Sequence, residues 1–340
     1  MVHKNIFIGI GKPRFMVADC PVSVIVCTYN RGEMLPRIIG LLRDQDYSKD
    51  KYEIIIVDNG STDDTKTLAE SLMAQSGARI RYVFESRRGV TFARNRGSEE
   101  ALNPYLAYID VDCTVGPGWL SSLMSGYKLD EGVFSVFGQI INNWEGKAKP
   151  RWMMPSTETW LGNNSFLGDS TRILENSFGT REGNLSIRKE VLDTFGGFLG
   201  MEQFGSRDMS ATELKYCLFR AKRKGGKIAF VPAAIAHHHI VPRSRSWMIQ
   251  RAYWQGISDG IIEYIIYNRK WWKIWARSCF DFAVMIILFG YVVYYMILFK
   301  QPKWMFHLLR AIRRLGLLLS SLHFKGDWAR IRSWLSEQPF

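Results

Sequence analysis

Between positions 22 and 109 the chain alternates short apolar runs with amphipathic stretches. Residues 22–27 (VSVIVC) are almost wholly apolar and open into Thr28-Tyr29-Asn30-Arg31, the pattern of a buried strand followed by a polar loop. A helical pattern follows over 34–43. A second buried strand is expected at 53–57, ending in Asp58-Asn59-Gly60-Ser61. The periodicity then predicts a helix over 62–76, a strand at 79–84, a helix over 92–101 and a fourth apolar strand at 105–109, which runs into Asp110. Strands alternating with helices in this way specify an α/β class with a mostly parallel sheet and flanking helices. In such sheets ligands collect at the carboxyl ends of the strands. Three of these strands end in polar clusters (Thr28 to Arg31, Asp58 to Ser61, Asp110 to Asp112), so a single site is expected there.

The pattern loosens further on. A strand is expected at 133–141, then a loop-rich region over 143–168 that carries several Trp. A strand at 183–188 leads into a helix at 189–195. An amphipathic helix at 212–225 precedes a strand at 227–231 that ends before Pro232. No internal repeat or low-complexity segment interrupts the chain.

Residues 279–299 are apolar except for Asp281, and as a helix they would measure roughly 30 Å, enough for a membrane crossing. Trp271, Trp272, Trp275 and Trp304 flank the run as an aromatic belt would. Residues 304–324 differ. Arg310, Arg313 and Arg314 share one helical face, while Leu308, Ile312, Leu315, Leu319 and Leu322 share another, as in a helix lying in an interface. A single crossing would export the tail from Lys300 onward, which holds eight basic residues, against the positive-inside bias. A re-entrant pair broken near Gly290 would keep both flanks cytosolic. Both topologies remain open from the sequence.

Composition sharpens this division. Hydrophobic residues make up 47% of the 340, which excludes wholesale disorder, and the formal charge is +13. From Arg269 onward there are twelve Lys/Arg against three acids, so most of the excess lies in the C-terminal quarter among Trp, Phe and Leu. That interleaving favours an anionic membrane surface over nucleic acid. Five cysteines (Cys20, Cys27, Cys113, Cys217 and Cys279) lack Cys-x-x-Cys spacing and fit reduced thiols. With no convincing signal-peptide core, a membrane location with the catalytic domain on the cytoplasmic side is expected. Asn-x-Ser triplets at Asn163 and Asn184 would then be unused.

The segments Val22 to Arg31, Ile56-Val57-Asp58-Asn59-Gly60-Ser61-Thr62-Asp63, Ala93-Arg94-Asn95-Arg96-Gly97, Ile109-Asp110-Val111-Asp112 and Arg220 to Pro232 resemble, in order and spacing, the family 2 glycosyltransferases. The resemblance implies a GT-A fold, inversion at the sugar's anomeric carbon, a nucleotide-sugar donor (UDP-sugar being typical) and a divalent Mn²⁺ or Mg²⁺ cofactor. Residues 21–245 would then be the catalytic domain, with 21–115 the donor half and 116–245 the acceptor half. Residues 1–20 would be an extension, and 246–340 a membrane-associated helical region containing the 279–299 segment. By the same resemblance Thr28 and Asp58 hold the base. Arg31 and Arg94 neutralise the diphosphate, Asp110 contacts the ribose or a metal-bound water, and Asp112 ligates the metal. His238, within His237-His238-His239, matches a family His near the metal. Gly89 and Gly97 would serve tight backbone geometry.

A departure lies in the acceptor half. An inverting transferase needs a general base for the incoming hydroxyl. In the family this is the Asp of a Glu-Asp pair, and that pair falls here on Ser210-Ala211. Glu213 is the expected substitute, with Asp208 the alternative. An inactivated variant that only binds nucleotide sugar, or serves as a scaffold, is the competing reading. The partners expected are the donor, a lipid-linked or glycan acceptor and a membrane. A polyisoprenyl-phosphate sugar synthase is the alternative enzyme, since a phosphate acceptor needs less help from a base. Trp247 to Trp254 bears a faint likeness to the motif of processive synthases, but Tyr253 stands at its Arg position.

Overall fold

The apolar runs become the centre of one sheet in the computed structural model, which describes residues 20–74, 78–146, 148–177, 179–199, 214–241, 244–267, 271–298 and 301–323. In chain order the elements are β1 (Val22–Thr28), α1 (Leu35–Arg43), β2 (Tyr52–Asp58), α2 (Thr65–Met73), β3 (Arg79–Phe84), α3 (Val90–Glu100), β4 (Tyr105–Ile109), β5 (Cys113–Val115) and α4 (Trp119–Ser125). There follow β6 (Val133–Asn143), α5 (Pro155–Glu158), β7 (Arg172–Leu174), β8 (Asn184–Arg188), α6 (Lys189–Phe195), α7 (Lys215–Arg223) and β9 (Lys227–His239). Three long helices complete the described chain: α8 (Arg245–Tyr267), α9 (Trp271–Ile297) and α10 (Gln301–His323).

The sheet runs β3-β2-β1-β4-β8-β6-β9-β5, with β7 paired to β9. Strands β3, β2, β1 and β4 are parallel neighbours, whereas β8 runs antiparallel to β4 and β6, and β7 antiparallel to β9. The sheet is therefore mixed, not mostly parallel. Helical crossovers impose parallel pairing up to β4, and beyond it the chain returns through loops that permit antiparallel strands. Val24, Ile54 and Ala107 on one face and Ile25, Ile55 and Tyr108 on the other are all buried, so these strands are covered on both faces. Helix α3 lies so close to the sheet that a Cβ at Gly97 would come within 2.6 Å of the Ile25 side chain.

Strand β9 outruns its expected end. It continues through Pro232, which removes only one donor, to His239, so the His cluster lies within the strand. Asn184, the acceptor position of one of the two glycosylation-like triplets, is fully buried. It donates to the carbonyls of Gln139 and Ala234 at 2.9 and 2.8 Å and accepts from Trp119 Nε1 at 2.9 Å.

Two compact units form. The first comprises residues 1–141, 164–198 and 217–237, and the second 142–163, 199–216 and 238–340. The core of the second unit joins Trp152, Met153 and Leu161 to Met248, Ala252, Met305 and Leu309. In it, α8 and α10 cross at glycines: a Cβ at Gly256 would fall 1.9 Å from the Arg313 carbonyl oxygen, and one at Gly316 would fall 2.1 Å from that of Tyr253. Beside this crossing the Asp259 carboxylate accepts from Lys215 at 3.0 Å and from Arg313 Nε at 2.8 Å. Burial alone would raise its pKa, but these two cations hold it below the usual carboxylate value.

Among the described residues no helix is long and apolar enough to cross a membrane. The crossing expected at 279–299 is thus not met. Its residues 279–297 belong to α9, a 27-residue helix that begins in the Trp- and Arg-containing stretch before them.

Candidate active site

Parallel register brings the expected site together. Thr28 and Asp58 are directly paired at the last rung of β1 and β2. Ile25 pairs with Tyr108, which carries Asp110 level with Cys27 at the same edge. Asp110, Val111 and Asp112 form the turn between β4 and β5, closed by the Cys113 N–H on the Asp110 carbonyl at 3.0 Å. Val111 is buried and anchors the turn in the core, which leaves a carboxylate on either side of it.

Each of these carboxylates faces an arginine. Asp110 Oδ1 accepts from Arg94 Nη2 at 3.1 Å, and Asp112 forms an ion pair with Arg31. Arg94 is buried on α3. Burial disfavours its charge, yet Asp110 and the other neighbouring groups outweigh that, and the net effect raises its pKa. It is therefore a fixed cation beneath a half-exposed carboxylate, a preorganised arrangement for a phosphate-rich ligand.

The base-side pair has its own signature. Thr28 is 3% exposed, and its hydroxyl is buried without a hydrogen-bond partner among the described residues. Buried hydroxyls normally find one, so an orphan at a strand end points to an external partner. Asp58 accepts from the Ser61 N–H and from the Tyr82 hydroxyl, each at 2.8 Å. Tyr82 pairs with Ile56 across the ladder, which puts it on the face that Asp58 shares. Burial first and then Asp58 push the Tyr82 pKa up, so the hydroxyl stays a neutral donor.

Several supporting residues escaped the sequence reading. Asn30, at φ +49°, accepts from the Thr62 N–H at 2.7 Å and donates its own N–H to Ser61 Oγ at 2.9 Å. Asp63 accepts from the Gly32 N–H at 3.0 Å, which completes a zipper between the loops after β1 and β2. Asn59 donates to the Arg87 carbonyl at 2.6 Å and accepts from the Gly89 N–H at 2.8 Å, pinning the loop after β3. Gly183 adjoins Asp110 so closely that a Cβ would lie 2.3 Å from its Oδ2. Asn95 exchanges two bonds of 2.9 Å with the backbone of Phe198. The polar residues at turn positions were visible in the sequence, but their partners lie about thirty or more positions away.

Glu213, Asp208, Ser210 and Ala211 lie outside the described residues. His238 belongs to the second unit, where its Nδ1 engages the Leu161 carbonyl oxygen at 2.8 Å. The neighbouring His239 is paired with Glu145 at 2.6 Å. Among the described residues no group of three or more His, Cys, Asp or Glu side chains is placed to hold a metal ion. The two carboxylates of the Asp110–Asp112 turn are hard oxygen donors. They suit Mg²⁺ or Mn²⁺ shared with the phosphates of a bound nucleotide, a mode that needs only one or two protein carboxylates.

The mixed α/β sheet, with acidic and basic residues gathered at its parallel strand ends, is of the GT-A-like kind. The chain belongs to glycosyl transferase family 2, whose family model matches residues 23–203, just over half of its length. The glucosyl-dolichyl phosphate glucuronosyltransferase of Haloferax volcanii is 23% identical over 249 residues, which cover 71% of this chain and 77% of that protein. The GalNAc(5)-diNAcBac-PP-undecaprenol beta-1,3-glucosyltransferase of Campylobacter jejuni is 35% identical over 127 residues, 37% of this chain and 40% of its own. Among solved structures, the mannosyltransferase PcManGT from Pyrobaculum calidifontis, in complex with GDP-Man and Mn²⁺, aligns at a TM-score of 0.53 and 17% identity, covering 94% of this chain and 84% of that one. At that identity the likeness concerns the fold.

Proposed function

We propose that this glycosyltransferase moves a sugar from a nucleoside-diphosphate donor, a UDP-sugar first among them, to a lipid-linked or membrane-proximal glycan acceptor, with inversion. The observation that carries the reading is the convergence of Arg31–Asp112, Arg94–Asp110 and the orphaned Thr28 hydroxyl at one strand edge. Thr28 and Asp58 bind the base edge, while Arg31 and Arg94 take the charge of the diphosphate. A divalent Mn²⁺ or Mg²⁺, when bound, stabilises the phosphate charge that grows as the glycosyl bond breaks, and Asp112 is the residue to hold it. In the transfer the acceptor oxygen bonds to the anomeric carbon, the bond from that carbon to the phosphate oxygen breaks, and the hydroxyl proton passes to a carboxylate, Glu213.

The lipid-linked acceptor is supported by the relatives, whose names specify a glucosyl-dolichyl phosphate and an undecaprenol diphosphate glycan. Location at the cytoplasmic face of a membrane accords with five free cysteines. A second reading, a polyisoprenyl-phosphate sugar synthase, is favoured by Ser210-Ala211 at the expected acidic pair, because a phosphate acceptor brings its own nucleophilic charge.

The test is incubation of the purified chain with a panel of nucleotide sugars, with and without Mn²⁺, followed by thermal melting and assay of donor hydrolysis. Metal-dependent protection by a UDP-sugar, with slow hydrolysis, is expected. Protection without turnover would identify an inactive binding homologue, and no protection by any donor would refute the reading.

A further inference from the structure

Helix α9 is held to its unit along a narrow stripe. Leu288 and Val292, one helical turn apart, are buried at 5% and 4% exposure. Around them Phe282, Ile286, Phe289, Val293, Tyr294 and Ile297 stand 45–69% exposed, on most of the helix's remaining circumference. With the other exposed apolar residues of this helix, and about 200 Å² per large side chain at half exposure, the patch reaches on the order of 1,000 Å². Folded proteins rarely leave such an area bare without a use for it.

The surroundings say what covers it. From Trp271 to His323 the sequence holds seven Lys/Arg against one acid, Asp281. Lys303 of α10 lies over the Tyr295 ring of α9 at 5.4 Å, and Arg245 of α8 lies over the Trp304 ring of α10 at 5.7 Å. Farther along α10, Arg310 covers Phe306 at 5.5 Å. Cations backed by Trp and Tyr beside an apolar helix match a bilayer interface, with rings at the headgroup level and guanidinium and ammonium groups on phosphates. A second protein copy carrying the same positive rim would be repelled by it.

We propose that the exposed face of α9, with Lys303 beside its Tyr295 ring and Arg310 on the adjoining helix α10, is a docking surface for anionic lipid, and that α9 lies in one leaflet instead of crossing the bilayer. This surface rests on the proposed membrane-proximal acceptor only for its purpose, since lipid binding is measured without turnover. A helix held in one leaflet would accord with the positive-inside bias that a single crossing would break.

The test is flotation of the full chain with vesicles of phosphatidylcholine alone or mixed with phosphatidylglycerol. Binding is expected to favour the anionic vesicles by at least tenfold and to weaken with added salt. The triple variant Ile286→Glu, Phe289→Glu, Val293→Glu is expected to lose binding to both, while its melting temperature and its donor-induced stabilisation stay as in the parent. The double variant Lys303→Glu, Arg310→Glu is expected to lose only the anionic preference. Three outcomes would overturn the proposal: equal flotation of parent and triple variant, no flotation of the parent, or a parent dimer that the triple variant dissociates. The last would assign the face to a second copy of the chain. Loss of donor protection with flotation intact would count against the proposed function alone.

Discussion

Thr28 and Asp58 differ in what they still have to offer. Asp58 is already bonded to Ser61 and Tyr82, whereas the Thr28 hydroxyl is buried with no partner among the described residues. Replacement by the isosteric Val should therefore leave folding stability within about 0.5 kcal/mol of the parent, because no internal bond is lost. The same change should weaken donor binding roughly tenfold, about the worth of one hydrogen bond to ligand. Calorimetric titration with a nucleotide sugar, set beside thermal melts, checks both halves; a large drop in stability with unchanged affinity would mean the hydroxyl is structural. Gly183 offers a sharper probe. Its absent Cβ would sit 2.3 Å from Asp110 Oδ2, so Gly183→Ala must turn that carboxylate away from Arg94. Displacement of a site group by about 1 Å costs on the order of 100-fold, and a loss of kcat/KM between about 10- and 100-fold is expected. Steady-state kinetics of the variant would show it.

At the scale of elements, the second unit depends on close helix crossing and one shared carboxylate. Gly316→Ala would press a methyl onto the Tyr253 carbonyl of α8, and overpacking of this kind costs about 1–3 kcal/mol. A lower melting temperature with unchanged donor affinity is the expected result. Asp259 adds a pH dependence whose sign follows from its lowered pKa. Above the ordinary Asp value near 3.8 the carboxylate is ionised whether the chain is folded or not, and the pairing is fully present. As pH falls below that value the unfolded chain takes up the proton first, and the contribution is lost as pH drops through the folded-state pKa. Asp259→Asn should therefore destabilise by about 1–3 kcal/mol near neutrality, less than for a fully buried pair because Lys215 and Arg313 are 34% and 45% exposed. Melts from pH 3 to 7 should show parent and variant converging in acid. What could be read in advance follows the same division. Strands β1 to β4 and their helices were legible because apolar runs and polar strand ends are local signals. The antiparallel return through β8, the extension of β9 past Pro232 and the packing of Trp152 against Met305 were not, since each is decided by partners distant in sequence. Within the site, Thr28, Asp58, Arg94 and Asp110 were readable from their motifs, whereas Tyr82 becomes visible only when the β2–β3 register puts it opposite Ile56.

For the whole molecule the open step is the transfer of a proton from the acceptor. The proposed donor side draws on local motifs at the ends of β1, β2 and β4 and on α3, but the family's acidic pair falls on Ser210-Ala211. Catalysis therefore has to find its base elsewhere or use an acceptor that needs none. General-base removal typically costs between about 100- and 10,000-fold in rate. If Glu213 has taken the role, Glu213→Gln should lower kcat by that factor and leave donor affinity unchanged, because the residue acts on the acceptor. Ala211→Asp should then add little, since a base is already in place. If the base is absent, the pattern reverses: Glu213→Gln is silent, and Ala211→Asp raises turnover at least tenfold. A phosphate acceptor would make both variants silent, with turnover persisting on a polyisoprenyl phosphate and not on a glycan hydroxyl. Single-turnover kinetics on both acceptor types, with donor binding measured in parallel, separate the three cases. The result expected for the hydroxyl-acceptor enzyme proposed above is a loss of kcat in Glu213→Gln with an unaltered donor dissociation constant.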